Sequence, residues 1–397
     1  GFVEVSGKQH LIYRGNVNLA ALNGEVGILL LDPENIEIVD GDGGGDAPPD
    51  NPSDSDVVDA EPQGNDGELS EDGQILEGDG SGTFTISETA LQRLDGNAEV
   101  ILEATNDITI ADLADDRLTF RSGTGNITFT ADADNDGAGA FSMNPGDEIF
   151  ASGRNVTISG ADVTVGSIVT FSPEANAGNI TINATNGNID ISGDLNSGSS
   201  LGNAGNIQLQ GTGDITATQI LTESLGRETL GNNAGNISIT SSDGDITTGN
   251  IQAANLSPGG GSGGAIALSS ATGNITTGNL FSAAVSGRGG AIDISAAGNI
   301  DLGNAIVGVQ QINDIQSNGT AGNISITTSG GGITTENLQA PSETGDGGDI
   351  AIEASGDITA RVNITSMARR DGNGGEVTII SNSGAVDISS GRVRDRK

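Results

Sequence analysis

The chain has 397 residues, 64 of them glycine, and a net charge of −39 from 54 acidic and 15 basic side chains. Aromatic residues make up 2%, with no tryptophan, one tyrosine (Tyr13) and no cysteine, which excludes a core of large side chains, a disulfide framework, a thiolate nucleophile and a Cys-based zinc site. Such acidity repels nucleic-acid phosphates and anionic lipid and attracts divalent cations, and the longest apolar run, VGILLL at 26–31, falls far short of the roughly 18 residues that span a bilayer.

In chain order, residues 1–39 read as strand-forming. Residues 40–74 have no hydrophobic period and are dense in Asp, Gly and Pro, the composition of a flexible acidic linker. Residues 75–176 carry irregular strand, corner and strand patterns, as in NAEVILEATNDITIADL (97–113) and RLTFRSGTGNITFTADA (117–133), with SETALQRLDG (87–96) fitting one short helical turn or a loop. From 177 to 397 the pattern becomes a repeat. Gly-x-aliphatic recurs with its aliphatic residue at Ile180, Ile207, Ile237, Ile266, Ile292, Ile324, Ile350 and Val377, at spacings of 26–32 residues.

Two residues after each of these stands a second aliphatic, from Ile182 to Ile379, so the segment alternates with period two and reads as a half-buried strand. Eight or nine residues after the first aliphatic, a second Gly-x-aliphatic closes on Ile189, Ile215, Ile246, Ile275, Ile300, Ile333, Ile358 or Val386. A third aliphatic follows, as at Leu195, Ile251, Leu280, Leu338 and Ile364, and the variation in length is confined to one loop per unit. No strand of four or five residues buries itself alone, whereas identical units stacked about 4.8 Å apart pair each strand with its equivalents. The spacing therefore predicts an all-β, right-handed parallel β-helix (β-solenoid), with about three short strands per coil of 26–32 residues. Corner glycines are expected to supply positive φ, and the Asn or Asp beside them a ladder of stacked side chains.

The opening GFVEVSGKQHLIYRGNVNLAALNGEVGILLLDPENIEIV resembles the large exoproteins of bacterial two-partner secretion, the filamentous haemagglutinin-like family, in the stretch that follows the secretion domain. LLLDPENI (29–36), LQRLDGNAEVILEATNDITI (91–110) and the GNI repeats carry the same resemblance, and the chain, starting GFVEVSG and stopping at RVRDRK in mid-pattern, reads as a segment of a longer protein. The resemblance implies a right-handed β-helix exported through a dedicated outer-membrane transporter that recognises a region outside this segment. It also implies a secreted or cell-surface location at the exterior of the bacterial outer membrane, and adhesion to a receptor or glycan on a host or neighbouring cell.

Among the chemistry-bearing residues, Asp132, Asp134 and Asp136 precede Gly137 at alternate positions, the layout of a calcium-binding loop. The glutamate that would complete such a loop is replaced by Met143, with Asp147 and Glu148 close behind. Calcium is thus the one cofactor the sequence suggests, and none is required. The linker aspartates Asp40, Asp42, Asp46, Asp54, Asp56 and Asp59 are irregularly spaced, and His10 is the single histidine, so no Ser-His-Asp triad is available in the repeats. Acids such as Asp190, Asp293 and Asp301 are scattered, and the pairs Thr247-Thr248, Thr276-Thr277 and Thr334-Thr335 are expected to form an outward ladder. Asn323 fits a glycosylation acceptor, although its place is taken by Ala, Asp or Glu in other units. The expectation is a non-catalytic surface rod of an adhesin-like exoprotein. The alternatives are a passive stalk presenting an effector domain beyond Lys397 and a polysaccharide hydrolase or lyase.

Overall fold

A computed structural model of the protein describes residues 2–6, 28–32, 34–40, 83–226, 231–309, 320–388 and 391–396. The strand pairings in it are parallel and the fold is a β-solenoid, as the repeat requires. The one helix among the described residues is the short Glu88–Gln92, whose N-cap Ser87 accepts a hydrogen bond from Ala90 N. His10, Tyr13 and most of the 40–74 linker lie outside the described residues.

Two compact units are present, one formed by Gly1–Val169 with Thr181–Gly193 and the other by Thr170–Ile180 with Asp194–Lys397. In the first, Ile28–Asp32 pairs with Phe2–Ser6 and with Glu99–Glu103, and Glu99–Glu103 pairs in turn with Ile127–Thr130 and that with Val156–Gly160. Asn35–Val39 pairs with Thr83–Ser87 and with Ile108–Ile110, so strands of the opening 39 residues share a unit with the coils that follow the linker. This unit holds six of the eight phenylalanines, Phe171 and Phe281 belonging to the other. Phe120, Phe129 and Phe141 are buried in series, the first pair edge-on at 6.4 Å between centroids and the second tilted at 5.4 Å, an aromatic cluster that the overall composition conceals.

In the second unit the repeat stacks in register. Ile207, Ile237, Ile266, Ile292, Ile324 and Ile350 are Cα partners in succession, as are Leu209, Ile239, Leu268, Ile294, Ile326 and Ile352. All are buried, and the residues between them face outward. Each such side chain contributes about 1.5–3 kcal/mol before chain entropy is subtracted.

The corner glycines act by a different physical means from the one expected. Among the described glycines, positive φ occurs at Gly137, Gly153, Gly260, Gly261 and Gly372, and at none of the repeat corners. What the corner requires is closeness. A Cβ on Gly235 would lie 1.8 Å from the carbonyl oxygen of Gly205, and one on Gly264 would lie 1.8 Å from that of Gly235. Successive corners press backbone on backbone, so any side chain would enter the coil beneath it.

The Asn or Asp beside the glycine has an equally local task. Asn179 Oδ1 accepts from Asn206 N at 2.7 Å, Asn206 Oδ1 from Asn236 N at 2.8 Å, and Asn236 Oδ1 from Ala265 N at 2.8 Å. The second corner repeats the device, from Asp214 through Asp245 and Asn274 to Asn299. Each side chain satisfies a backbone N–H of the next coil that the strand ladder does not reach. Asn323 is one more rung, accepting from Asp349 N at 3.0 Å.

Buried hydroxyls close the accounting. Ser197 and Thr170 both donate to the carbonyl of Gly178, Thr222 to that of Gly235, Ser282 to Gly264 and Ser366 to Gly348. The threonine pairs divide in the same way. Thr247 and Thr276 face solvent, but Thr248, Thr277 and Thr335 are buried, so the expected double outward ladder is a single row. Period-two alternation turns the second residue of each pair inward. Asp301 interrupts even that row, standing between Thr276 and Thr334.

Candidate functional site

The three aspartates singled out by their alternation do converge. Asp132, Asp134 and Asp136 each present a carboxylate oxygen, and these oxygens lie within 4.8 Å of one another. The chain bends sharply to achieve this, with positive φ at Asp132 (55°), Asn135 (58°) and Gly137 (87°). Two of the three are non-glycine residues of the types that tolerate the left-handed region.

Asp132 is 5% exposed and is held from two directions. Gly137 N donates to its Oδ1 at 3.0 Å, and Thr185 Oγ1 lies 3.5 Å from its Oδ2. Asp136 Oδ1 accepts from Ala138 N at 3.0 Å. Three like charges at this separation repel by about 1 kcal/mol per pair in a water-like dielectric, and a hard cation held by oxygen ligands would offset that repulsion. Asp132, Asp134 and Asp136 are the residues that could hold calcium here.

Neither Met143, which stands in the place of the loop's last ligand, nor the two acids behind it joins the loop. Met143 is a buried residue of the strand Phe141–Met143. Glu148 pairs with Arg117 at 2.8 Å. Asp147 is drawn instead into a separate group with Asp112 and Asp116. A sequence offset cannot foresee this, because a coil places residues about thirty positions apart side by side.

Arg154 is a second feature that sequence reading missed. Its side chain is 0% exposed, with Nε donating to the Gly125 carbonyl at 2.8 Å and Nη2 to the Ala98 carbonyl at 2.7 Å. The guanidinium sits 5.5 Å from the Phe120 ring centroid. Burial lowers its pKa to about 10, with Asp95 opposing, so it is cationic at neutral pH. The arginine ties three successive turns of backbone together and has no opening toward a substrate.

Elsewhere, polar groups serve the scaffold. A concavity lined by Asn35, Glu37, Asp107 and Thr109 contains two acids, but Asp107 Oδ1 already accepts from Ala140 N at 2.9 Å. Asp190, Asp293 and Asp301 are exposed and stack on Thr164, Ala267 and Thr276 rather than on other acids. The C-terminal arginines are balanced in part, Arg361 by Glu336 at 3.2 Å, and Arg369 and Arg370 by Glu343 at 3.6 and 3.0 Å. No helix among the described residues is long and apolar enough to cross a membrane. No protein-family profile and no curated protein sequence matches the chain.

Proposed function

We propose that this chain is a non-catalytic β-helical rod segment of a secreted, surface-exposed exoprotein of the filamentous haemagglutinin-like kind, carrying adhesive loops toward a receptor or glycan on another cell. The observation that carries this reading is where the recurring polar groups are spent. The repeat asparagines and aspartates accept backbone N–H groups of the next coil, and the buried serines and threonines donate to corner carbonyls. The repeated face is thereby committed to holding itself together. The parts free to vary lie between the third strand and the next corner, as in residues 258–263 of SPGGGSGG and residues 344–347 of QAPSETGDGG. Export through a two-partner outer-membrane transporter accords with the residues that resemble that family, and the lack of cysteine suits a chain that crosses such a pore unfolded.

The test is attachment. Beads coated with the 397-residue chain are expected to adhere to epithelial or neighbouring bacterial cells well above uncoated beads. Exchanging residues 344–347 for glycine-serine sequence of equal length and deleting 259–262, which leaves the strand and corner residues of each coil in place, should remove most of that adhesion with at most a small shift of the melting midpoint. A chain that supports no attachment would make it a passive stalk. Release of reducing ends or unsaturated sugars from acidic polysaccharides would make it an enzyme and overturn the reading.

A further inference from the structure

The second acidic group lies apart from the first and is built differently. Asp112 and Asp116 belong to the turn ADLADD (111–116), and Asp147 closes the turn NPGD (144–147). Pairing of Arg117–Thr119 with Glu148–Phe150, with Arg117 opposite Glu148, brings the two turns together. Both are fixed by backbone hydrogen bonds: Asp116 N to Leu113 O at 3.0 Å, Asp147 N to Asn144 O at 3.1 Å, and Glu148 N to Asp116 O at 2.9 Å. One carboxylate oxygen from each of Asp112, Asp116 and Asp147 then falls within 4.8 Å of the others.

An independent observation separates this group from an ordinary acidic turn. Asp147 is 1% exposed, and although its Oδ2 accepts from Leu113 N at 3.2 Å, its buried Oδ1 has no hydrogen-bond partner. Buried carboxylate oxygens are normally paired. The nearby base is already engaged, since Arg117 pairs with Glu148 at 2.8 Å and lies 4.1 Å over the Phe150 ring. Asp40, whose Oδ1 accepts from Ala114 N at 2.7 Å, adds further negative charge. Desolvation raises the Asp147 pKa above its ordinary value; the Leu113 N–H opposes that rise, and Asp112, Asp116 and Asp40 reinforce it. The protein thus holds a buried, unpartnered oxygen among like charges, with two exposed carboxylates completing one side of an oxygen cage.

We propose that Asp112, Asp116 and Asp147 form a binding site for a hard divalent cation of the calcium class, with Asp147 Oδ1 as its inner ligand. Calcium suits the site because it accepts irregular sets of oxygen ligands, with water filling the remaining positions. Three carboxylates on turns match the weaker class of site, with dissociation constants of about 10⁻⁴–10⁻³ M.

Equilibrium dialysis of the 397-residue chain against CaCl₂ at millimolar concentration tests this. Asp147→Asn keeps the shape of the side chain and its acceptor for Leu113 N. Asp116→Asn suits the φ of 57° at that exposed position, so it still decides the matter should the buried variant fold poorly. Each is expected to bind one Ca²⁺ fewer per chain than the unaltered protein and to lose the rise in melting midpoint that calcium gives in place of EDTA. Asp132→Asn is expected to keep this ion, which separates the two clusters. Absence of bound Ca²⁺ at millimolar concentration overturns the proposal. So does an unchanged number of ions in both Asp147→Asn and Asp116→Asn, or a loss confined to Asp132→Asn.

Discussion

Replacing Arg154 with alanine is expected to destabilise the first unit by about 4 kcal/mol, among the largest effects available to a single substitution here. Removing the guanidinium strips the Gly125 and Ala98 carbonyls of the donors that serve them. Each buried acceptor left unpaired costs about 1–3 kcal/mol. The change also empties a volume beside Phe120, which adds a cavity cost. Arg154→Lys keeps a charge but not a fork able to reach two carbonyls at once, and should recover less than half of the loss. Hydrogen exchange of the amides in Glu99–Glu103, Ile127–Thr130 and Val156–Gly160 reads this locally. These amides are expected to exchange several-hundred-fold faster in Arg154→Ala, and unchanged protection would contradict the assigned role.

The second large effect is expected at a corner glycine. Gly264→Ala places a methyl 1.8 Å from the Gly235 oxygen and 2.6 Å from its carbonyl carbon. Both neighbours are backbone, so relief requires two coils to separate rather than one side chain to swing aside. Overpacking of this kind costs about 3 kcal/mol. It also threatens the hydrogen bond that Ser282 Oγ donates to the Gly264 carbonyl at 2.5 Å. Gly146→Ala is the matched control, because its Cβ would meet nothing nearer than Asn144 Oδ1 at 3.5 Å. Urea denaturation should place Gly146→Ala within about 0.5 kcal/mol of the unaltered chain. A Gly264→Ala variant equally close to the unaltered chain would show that the corners are looser than described.

The two effects differ in how far the sequence announced them. The glycine column was visible as a repeat at Gly205, Gly235 and Gly264, yet its reason was not, because the colliding atom belongs to a residue 27 to 30 positions away. Sequence reading supplied a local cause, positive φ, for a contact between coils. The apolar columns were legible because period-two alternation is set within a single strand, and Ile237, Ile239, Ile266 and Leu268 stand where that alternation puts them. The threonine pairs failed by the same rule, since adjacent strand residues cannot both face water.

Arg154 was hidden in GRNVTI, which reads as a polar surface corner; only the stacking of Ala98 and Gly125 beneath it explains its burial. For the acidic groups, alternation exposed Asp132, Asp134 and Asp136, but Thr185, which flanks Asp132, lies 53 residues further on. The group at Asp147 joins turns more than thirty residues apart and left no local signal.

The central claim is that each repeat lies directly on the next in parallel register, so that its glycines and asparagines are scaffolding. Because the chain contains no cysteine, introduced pairs can test this without interference. Ser238 and Ala267 are outward-facing Cα partners on neighbouring strands, and a parallel strand spacing of about 4.8 Å falls within the Cα separation of roughly 4.4–6.8 Å that a disulfide spans. Oxidation of the Ser238→Cys/Ala267→Cys double variant is expected to give near-complete intramolecular crosslinking. The pair Ser238→Cys/Ser269→Cys, two residues out of register, should crosslink poorly. Equal crosslinking of the two pairs, or none in the first, would contradict the stacked register on which the account depends.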